Sequence, residues 1–434
     1  KRLSELESKL YKGPYLSSSL PFEPNESLNS LINSGLFHKD FLNIGSLDFD
    51  RPNYTHQIKA FNRIKNGHNV VVTTGTGSGK TECFLLPILD ELVKEINSGN
   101  YQPGVRAIFL FPLNALVYDQ IDRLRGYLKS YPKIKFGFYT GRTPEDRKSK
   151  EGKRLIGSYI NKYGETIPNE ILTREEMREN PPEILFTNYS MLEYLLIRPT
   201  DQSLVSEDGL KNLRFVVLDE AHIYRGALGI EISLLLRRLI GTSQKNPQFI
   251  LTSATLGRGI EDLPEITSFA SKLTSMPFGE DDIVFSTRYQ YEIKNDFSIE
   301  PSDFVKLYDN LNNLDEFKKT FNKYIKYDDT YKIGTNLYNL LSRDRCTNEL
   351  YHLTKNVDDF FHVLKSLIGF SVESLTSLIE LIGKTTSSDD KFSMKLFDVK
   401  YHMFMKAPDG AFITLGDNKD LSLITVNQIN GDKA

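Results

Sequence analysis

At 434 residues the chain is long enough for two or three domains, and its 39% hydrophobic and 26% charged content is that of an ordinary globular protein. A formal net charge of −3 gives no overall basic field, so any surface for nucleic acid must be local. We find neither an apolar run of about 18 residues nor a signal peptide, which predicts no membrane partner and no secretion. The two cysteines, Cys83 and Cys346, lie far apart, which favours a reducing, cytoplasmic compartment without disulfides.

The N-terminal lead, residues 1–50, is rich in turn residues and contains one predicted helix over 27–36. A short element, Tyr54-Thr55-His56-Gln57, follows it and precedes a second predicted helix over 58–65. The amide of Gln57 can donate and accept a hydrogen bond at once, so its place directly before the next motif is of interest.

That motif is a phosphate-binding loop. Residues 70–81 read Val-Val-Val-Thr-Thr-Gly-Thr-Gly-Ser-Gly-Lys-Thr, a buried strand and a glycine turn that open a predicted helix over 82–96. The backbone N–H groups of such a turn point at phosphate oxygens. In this chain they are the N–H groups of Thr76, Gly77, Ser78 and Gly79. Lys80 supplies a charge for the β- and γ-phosphates and Thr81 a hydroxyl ligand for Mg²⁺, so we expect ATP and Mg²⁺ as cofactors. The strict pattern has Gly where this chain has Thr74.

Three later stretches repeat a buried strand followed by a polar turn. The strands cover 107–111, 136–139 and 183–186, as expected of a parallel α/β sheet, where ligands bind at the carboxyl ends of the strands. The turns supply these candidate contacts: Pro112, Asn114, Thr140, Gly141, Arg142, Thr187 and Asn188.

A further buried strand, 215–218, delivers two carboxylates at its end. Downstream of a phosphate loop, such a pair suits metal-assisted phosphoryl transfer: Asp219 can hold Mg²⁺, and Glu220 can orient and deprotonate the attacking water. With Lys80, these are the expected catalytic residues.

In this order, the phosphate loop, the three strand-turn stretches, the Asp-Glu-Ala-His box and residues 250–255 resemble the motifs of superfamily 2 helicases and translocases, over about residues 54–256. The run Asp-Glu-x-His-x-Tyr-x-Gly-x-x-Gly, which begins at Asp219, resembles a DEAH-type subgroup of bacterial and fungal DNA helicases, several of them in repair or in phage and plasmid defence.

This resemblance implies further roles. Gln57 would read the adenine edge, with Tyr54 as a stacking partner. His222 would couple the nucleotide site to the hydroxyls of Ser253 and Thr255. The turn residues would touch the nucleic-acid backbone, and DNA, single-stranded or duplex with a single-stranded end, is the implied partner.

In the remaining segments only the Tyr-His-x-Phe element that begins at Tyr401, with the Gly turn after it, resembles this subgroup, where such a segment lies between the two motor lobes. The insertion 144–180 reads as charged and solvated, with a helix from Arg174 that Thr173 and Glu176 cap. Residues 258–434 are predicted to be mostly helical, over 302–324, 334–341, 358–367 and 372–382, with a β-hairpin over 400–415. Its lysines, Lys391, Lys395, Lys400 and Lys406, could face DNA or simply face solvent.

The sequence therefore predicts a RecA-like P-loop NTPase lobe with a parallel sheet at 51–257, followed by a mostly helical accessory region at 258–434 that contains a β-hairpin. The arginine-finger motif of a second RecA-like lobe is not found, so we expect that lobe further along the same chain or on a partner subunit, and slow ATP hydrolysis without it. Two functions stay open: the ATP-binding half of a DNA helicase or translocase, or a nucleotide-gated binding or scaffolding module that hydrolyses nothing.

Overall fold

The computed structural model describes residues 11–75, 77–99, 101–256, 259–387, 392–405, 411–415 and 421–425. Its strands are β1 Tyr11–Ser19, β2 Pro24–Ser27, β3 Pro52–Tyr54, β4 Val70–Thr73, β5 Ala107–Phe111, β6 Phe136–Tyr139, β7 Glu170–Ile171, β8 Ile184–Asn188, β9 Phe215–Leu218, β10 Gln248–Ser253, β11 Ile283–Phe285, β12 Asp358–Asp359, β13 Asp398–Met405, β14 Ala411–Leu415 and β15 Leu421–Thr425. Its helices are α1 Leu28–Asn33, α2 Thr55–Lys65, α3 Lys80–Asn97, α4 Asn114–Leu128, α5 Lys150–Tyr163, α6 Arg174–Glu179, α7 Tyr189–Ile197, α8 Gln202–Val205, α9 Glu207–Leu210, α10 Gly226–Thr242, α11 Leu263–Thr274, α12 Pro301–Asp309, α13 Leu314–Phe321, α14 Ile333–Leu341, α15 Arg345–Thr354, α16 Phe360–Ser366 and α17 Val372–Gly383. Among these, no helix is long and apolar enough to cross a membrane.

The chain divides into two compact units, Phe22–Thr287 and a second unit whose bounds are Lys1–Pro21 and Arg288–Ala434, of which only the residues given above are described. The first unit is built on an eight-stranded sheet in the order β11-β4-β10-β9-β5-β8-β6-β7. Neighbouring strands run parallel, and strands such as β4 and β5 are buried along their whole length. Apolar residues of α2, α3 and α4 cover one face, and those of α7, α10 and α11 cover the other. The predicted RecA-like α/β lobe is confirmed.

This unit extends beyond the predicted bounds of 51–257 at both ends. From the segment predicted as a lead, Leu28 and Leu31 on α1 and Phe41 after it are buried in the core under α2 and α3. At the other end, β11 pairs in parallel with β4 and adds an edge strand. The apolar side chains of these segments decide where they pack, although neither segment carries a sequence motif.

The insertion 144–180 is less solvated than its charge suggested. Its predicted cap is present, because Thr173 Oγ1 accepts from the Glu176 N–H while the Glu176 carboxylate accepts from the Thr173 N–H at 3.2 Å. The insertion also contains β7, which extends the sheet beside β6, and it buries the carboxylate of Glu170. That carboxylate is buried because it accepts two hydrogen bonds from the equally buried Arg125. Part of the charge run is therefore interior.

The second unit combines a three-stranded antiparallel sheet, in the order β12-β1-β13, with helices α12–α17 around a core that includes Leu16, Phe304, Leu340 and Phe397. The helix predicted over 302–324 is two helices, α12 and α13, because the segment 310–313 breaks the apolar spacing with Asn and a turn. The predictions missed α15, whose N-cap is Asp344. The other predicted helices are present within a few residues.

The predicted hairpin over 400–415 is corrected in its pairing. Both strands exist, but β13 pairs with β1 at the other end of the sequence, in the register Leu16 to Tyr401, and β14 pairs with β15. The prediction assumed that strands next to each other in the sequence pair, whereas β13 pairs with a strand nearly four hundred residues before it. The predicted turn 407–410, with Lys406 and Lys391, lies outside the described residues.

The N-cap of α15 gives a prediction about pH. Asp344 is fully buried and accepts from the Ile299 N–H at 2.8 Å and the Thr347 N–H at 2.7 Å. Burial raises the pKa of Asp344, so the folded state keeps this proton over a pH range in which the unfolded chain has lost it. The stability that Asp344 provides therefore falls as pH rises through that range. We expect the destabilisation by Asp344→Asn, measured by urea unfolding between about pH 4 and 8, to shrink as pH rises.

The control for this trend is Asp328→Asn in the same unit. Hydrogen bonds from Thr330 hold the pKa of Asp328 below its ordinary value, so its contribution is present above the unfolded pKa and is lost in acid. Over the pH range of the assay the Asp328 carboxylate is ionised in both the folded and the unfolded chain, so its cost should stay nearly constant, and two parallel slopes would contradict the assignment.

Candidate nucleotide site and nucleic-acid edge

The phosphate loop connects β4 to α3 at the carboxyl end of the sheet. Gly77 and Gly79 have φ angles of +76° and +71°, a region in which a side chain is strained. α3 begins at Lys80, directly after Gly79, so the free N–H groups of its first turn open towards the loop. Where a Cβ at Gly75 or Gly77 would stand, no atom lies within 4 Å. The loop is therefore an open cradle that fits phosphate groups. Thr76 lies outside the described residues.

Side chains from the loop and from α2 hold this cradle in shape. The Thr74 and Ser78 hydroxyl oxygens lie 2.6 Å apart across the loop, which gives Thr74 a function where the strict pattern has Gly. His56 Nε2 lies 2.9 Å from the Ser78 carbonyl oxygen. Gln57 Nε2 donates to the Gly79 carbonyl at 3.2 Å. The sequence analysis missed Thr74 and His56, because their roles arise from the folded loop.

The element before the loop is also ordered by its own contacts. Gln57 Oε1 accepts from the Tyr54 N–H at 2.7 Å at the start of α2. The Tyr54 ring stacks on His56 with centroids 5.6 Å apart. In this structure Gln57 thus supports the loop, and adenine recognition by Gln57 and Tyr54 stays a prediction.

The two carboxylates follow β9 and meet the loop lysine. Lys80 Nζ donates to Glu220 Oε1 at 3.1 Å. The Thr252 hydroxyl donates to Asp219 Oδ1, a contact that the sequence analysis missed. Glu220 has φ +48°, a left-handed conformation that residues with side chains adopt mainly at functional sites. Burial raises the pKa of Asp219, so a cation bound beside this carboxylate would stabilise its charged form. With the Thr81 hydroxyl at the start of α3, the donor set fits Mg²⁺.

A short chain of polar contacts leads away from Glu220. His222 Nδ1 lies 3.3 Å from Glu220 Oε2 and 3.1 Å from the Ser253 hydroxyl. Ser253 Oγ in turn accepts from the Thr255 N–H at 3.1 Å. The residues predicted to couple hydrolysis to nucleic-acid binding are therefore in contact, and the coupling itself stays a prediction.

The predicted nucleic-acid contacts lie at the same end of the sheet. The loops after β5, β8 and β6 are adjacent because these strands are neighbours. Asn188 Nδ2 donates to Asn114 Oδ1 at 2.8 Å and joins two of the loops. Gly141 and Arg142 are exposed, and Pro112, Asn114 and Asn188 are partly exposed.

Two of the predicted contacts are corrected. Thr140 and Thr187 are both 0% exposed, so neither hydroxyl can reach a ligand in this structure. Thr187 Oγ1 donates to the Tyr139 carbonyl at 2.7 Å, and Thr140 Oγ1 accepts from the Arg142 N–H at 3.2 Å. Because these hydroxyls satisfy backbone groups at strand ends, Thr140 and Thr187 shape the loops that carry the exposed residues.

The cradle gives a prediction about backbone conformation. Gly79→Ala would place a Cβ 2.6 Å from Glu82 Oε2 and against the Gln57 amide, in a left-handed conformation that costs about 1–2 kcal/mol. We expect a loss of that size in the free energy of urea unfolding and a loss of ATP binding. Gly75→Ala is the matched control, since its Cβ meets nothing within 4 Å. Equal stability losses in the two variants would contradict this assignment.

The Phe22–Thr287 unit, with its phosphate loop and carboxylates at one end of a parallel sheet, is thus a RecA-type P-loop nucleotide-binding domain. Residues 54–263 match the family model of the DEAD/DEAH box helicase. The chain therefore contains a DEAD/DEAH box helicase domain, and the predicted superfamily 2 resemblance is confirmed.

Several curated proteins and solved structures are similar to the chain. It is 33% identical over 359 residues to Druantia protein DruE from Escherichia coli (strain UMEA 4076-1), which covers 61% of this chain and 19% of DruE. It is 29% identical over 241 residues to the uncharacterized ATP-dependent helicase YprA from Bacillus subtilis (strain 168), which covers 54% of this chain and 27% of YprA. The crystal structure of the DUF1998 helicase MrfA bound to DNA has a TM-score of 0.43 at 20% identity and covers 85% of this chain and 44% of that chain. The chain spans less than a third of the length of the two curated relatives.

Proposed function

We propose that this chain is the ATP-binding part of an ATP-dependent DNA helicase or translocase. The observation that carries the proposal is the 3.1 Å contact between Lys80 Nζ and Glu220 Oε1, next to Asp219. It brings a phosphate-binding cation, a candidate base and a candidate metal ligand to one point, as ATP hydrolysis requires. A module that had given up hydrolysis would not need all three.

Each residue has a distinct task in this proposal. Lys80 leaves Glu220 and binds the β- and γ-phosphates of ATP. Thr81 and Asp219 would hold Mg²⁺, which supplies neutralisation of the phosphate charge when bound. Glu220, freed from Lys80, orients the attacking water and takes its proton. His222 and Ser253 connect Glu220 to Thr255 and so couple the nucleotide site to the neighbouring loops.

The loops after β5, β8 and β6 are the proposed DNA contact. Arg142 offers a guanidinium, Gly141 an unobstructed backbone, and Asn114 and Asn188 amides, all of which suit phosphate and sugar oxygens. These contacts do not depend on sequence and do not tell DNA from RNA. We prefer DNA, single-stranded or duplex with a single-stranded end, on the resemblance of the box that starts at Asp219. We include in the same proposal a role for this activity in phage or plasmid defence or in DNA repair.

Hydrolysis at a useful rate also needs a second RecA-like lobe, which we propose lies on the longer protein or on a partner subunit. Such a lobe supplies arginine fingers, and their removal from comparable sites costs about 10³- to 10⁵-fold in rate. These 434 residues alone should therefore bind ATP weakly and hydrolyse it very slowly.

The test is ATP hydrolysis with and without single-stranded DNA, for this chain alone and for the longer protein that includes the second lobe. DNA-stimulated hydrolysis by the longer protein only is the expected result, and robust DNA-stimulated hydrolysis by this chain alone would contradict the division of labour. The alternative, a nucleotide-gated binding or scaffolding module, predicts that neither hydrolyses ATP while ATP still changes the affinity for DNA.

A further inference from the structure

A basic cavity of about 510 Å³ lies in the Phe22–Thr287 unit and shares no residue with the nucleotide site. Three arginines, Arg174, Arg178 and Arg198, line it together with two acids, Glu145 and Asp201. The volume is in the range of ligand sites, and a majority of arginines suits an anion.

Both acids of this cavity are already paired with the same arginine. Arg178 donates to Glu145 with one nitrogen and to Asp201 Oδ1 with another, the latter at 3.2 Å. Asp201, which is buried, also accepts from the Tyr139 hydroxyl at 2.8 Å. Arg178 is thus a structural residue that ties the insertion to the segment after α7.

The other two arginines keep their charge for a ligand. Arg174 Nη2 donates to the Thr140 carbonyl at 3.0 Å, and its guanidinium stacks 5.1 Å from the Tyr139 ring centre. Arg198 stacks 4.7 Å from the Tyr194 ring centre. Within the described part of the chain, neither forms an ion pair with a carboxylate. Stacking holds a guanidinium in place without neutralising it, so both remain ready to bind an anion.

The position of Arg174 beside the edge of the sheet indicates which anion the cavity binds. The strands β5, β8, β6 and β7 are consecutive neighbours and run parallel, so their carboxyl ends form one row. The first three ends carry the proposed DNA-contacting loops. The carboxyl end of the fourth strand, β7, leads to Arg174. The Arg174 side chain donates a hydrogen bond to the Thr140 carbonyl in the loop after β6. The cavity therefore continues the row by one strand.

We propose that the cavity between Arg174 and Arg198 binds a backbone phosphate of the same nucleic-acid strand, one contact beyond the loop after β6. The proposal rests on the proposed function, and it gives the insertion 144–180 a part in holding the strand. A guanidinium matches two phosphate oxygens with two parallel N–H donors, and the three arginines of the cavity outnumber its two acids, so the cavity carries a net positive charge.

The test is the salt dependence of single-stranded DNA binding, followed by fluorescence anisotropy. Each lost phosphate contact lowers the slope of log K against log salt by about 0.7 on single strands. Arg174→Gln with Arg198→Gln should remove the contact to this one phosphate, so the affinity lost between about 50 and 200 mM salt should be about 2.6-fold smaller than in the wild type. Arg154→Gln removes one positive charge at an exposed position of the same insertion, outside the cavity, and should leave the slope unchanged.

Further variants separate the possible failures. Arg142→Gln tests the proposed DNA loop itself. If it lowers the slope while the double Gln variant does not, the proposed function stands and the cavity proposal is overturned. If the wild-type protein binds no DNA, both the proposed function and the cavity proposal are overturned. Arg174→Lys with Arg198→Lys keeps the charge and should keep most of the slope, and Arg198→Glu alone covers the case in which the double Gln variant does not fold. Inorganic phosphate that raises the melting temperature of the wild type, with DNA binding unaffected by the variants, would show a free-phosphate site instead.

Discussion

Replacing Glu220 with Gln is expected to lower the rate of ATP hydrolysis by about 10²- to 10⁴-fold, the contribution of a general base. The affinity for ATP should rise at the same time. Lys80 and Glu220 form an ion pair with side chains only 13% and 25% exposed, so solvent screens the pair incompletely. Phosphate must compete with Glu220 for Lys80, and Gln, which has the same shape without the charge, competes less.

The measurement is single-turnover hydrolysis together with nucleotide titration, in the longer protein with single-stranded DNA present. Glu82→Gln is the matched control, because Glu82 stands beside the same loop but pairs with Arg123 at 3.0 Å. Glu82→Gln should leave the rate of hydrolysis and the affinity for ATP unchanged. A wild-type rate in Glu220→Gln would remove Glu220 from the chemistry. A loss of ATP affinity would mean that the ion pair holds the cradle together rather than competing with phosphate.

The nucleotide site was predictable from sequence because its signals are local. A phosphate loop must follow its strand and open its helix, so Lys80 could be placed from twelve consecutive residues. Asp219 and Glu220 follow a buried strand, and parallel strands bring their carboxyl ends to one edge, so their approach to Lys80 followed from the fold class.

What the sequence did not reveal depends on contacts between distant segments. Thr252 is one hydroxyl in a buried strand, and only the pairing of β10 beside β9 brings it to Asp219. The pairing of β1 with β13 has no local signal for the same reason. The burial of Thr140 and Thr187 was missed because a motif shows which residues lie in a turn but not which way each side chain points.

The largest effect on stability is expected from Glu170→Gln. Glu170 is 3% exposed and accepts from Arg125 Nε and Nη2, both at 2.7 Å. The variant leaves the charge of Arg125 buried without its main counter-charge, and breaking such a pair costs about 3–5 kcal/mol. Because the chain has two compact units, unfolding need not be a single transition. The measurement is therefore amide hydrogen exchange of β6 and β7 together with urea unfolding.

The matched control is Glu165→Gln, on the same insertion. Glu165 pairs with Lys129 at 3.0 Å, but both side chains are more than 60% exposed, so its loss should be undetectable. The double variant Arg125→Met with Glu170→Leu removes both charges at once and should be less destabilised than Glu170→Gln alone, because no uncompensated charge remains in the interior. A double variant as unstable as the sum of its single changes would mean that packing, rather than burial of an unpaired charge, sets the cost. Since β7 leads into α6, protection lost at β7 but kept at β4 would locate the effect next to Arg174 and away from the phosphate loop.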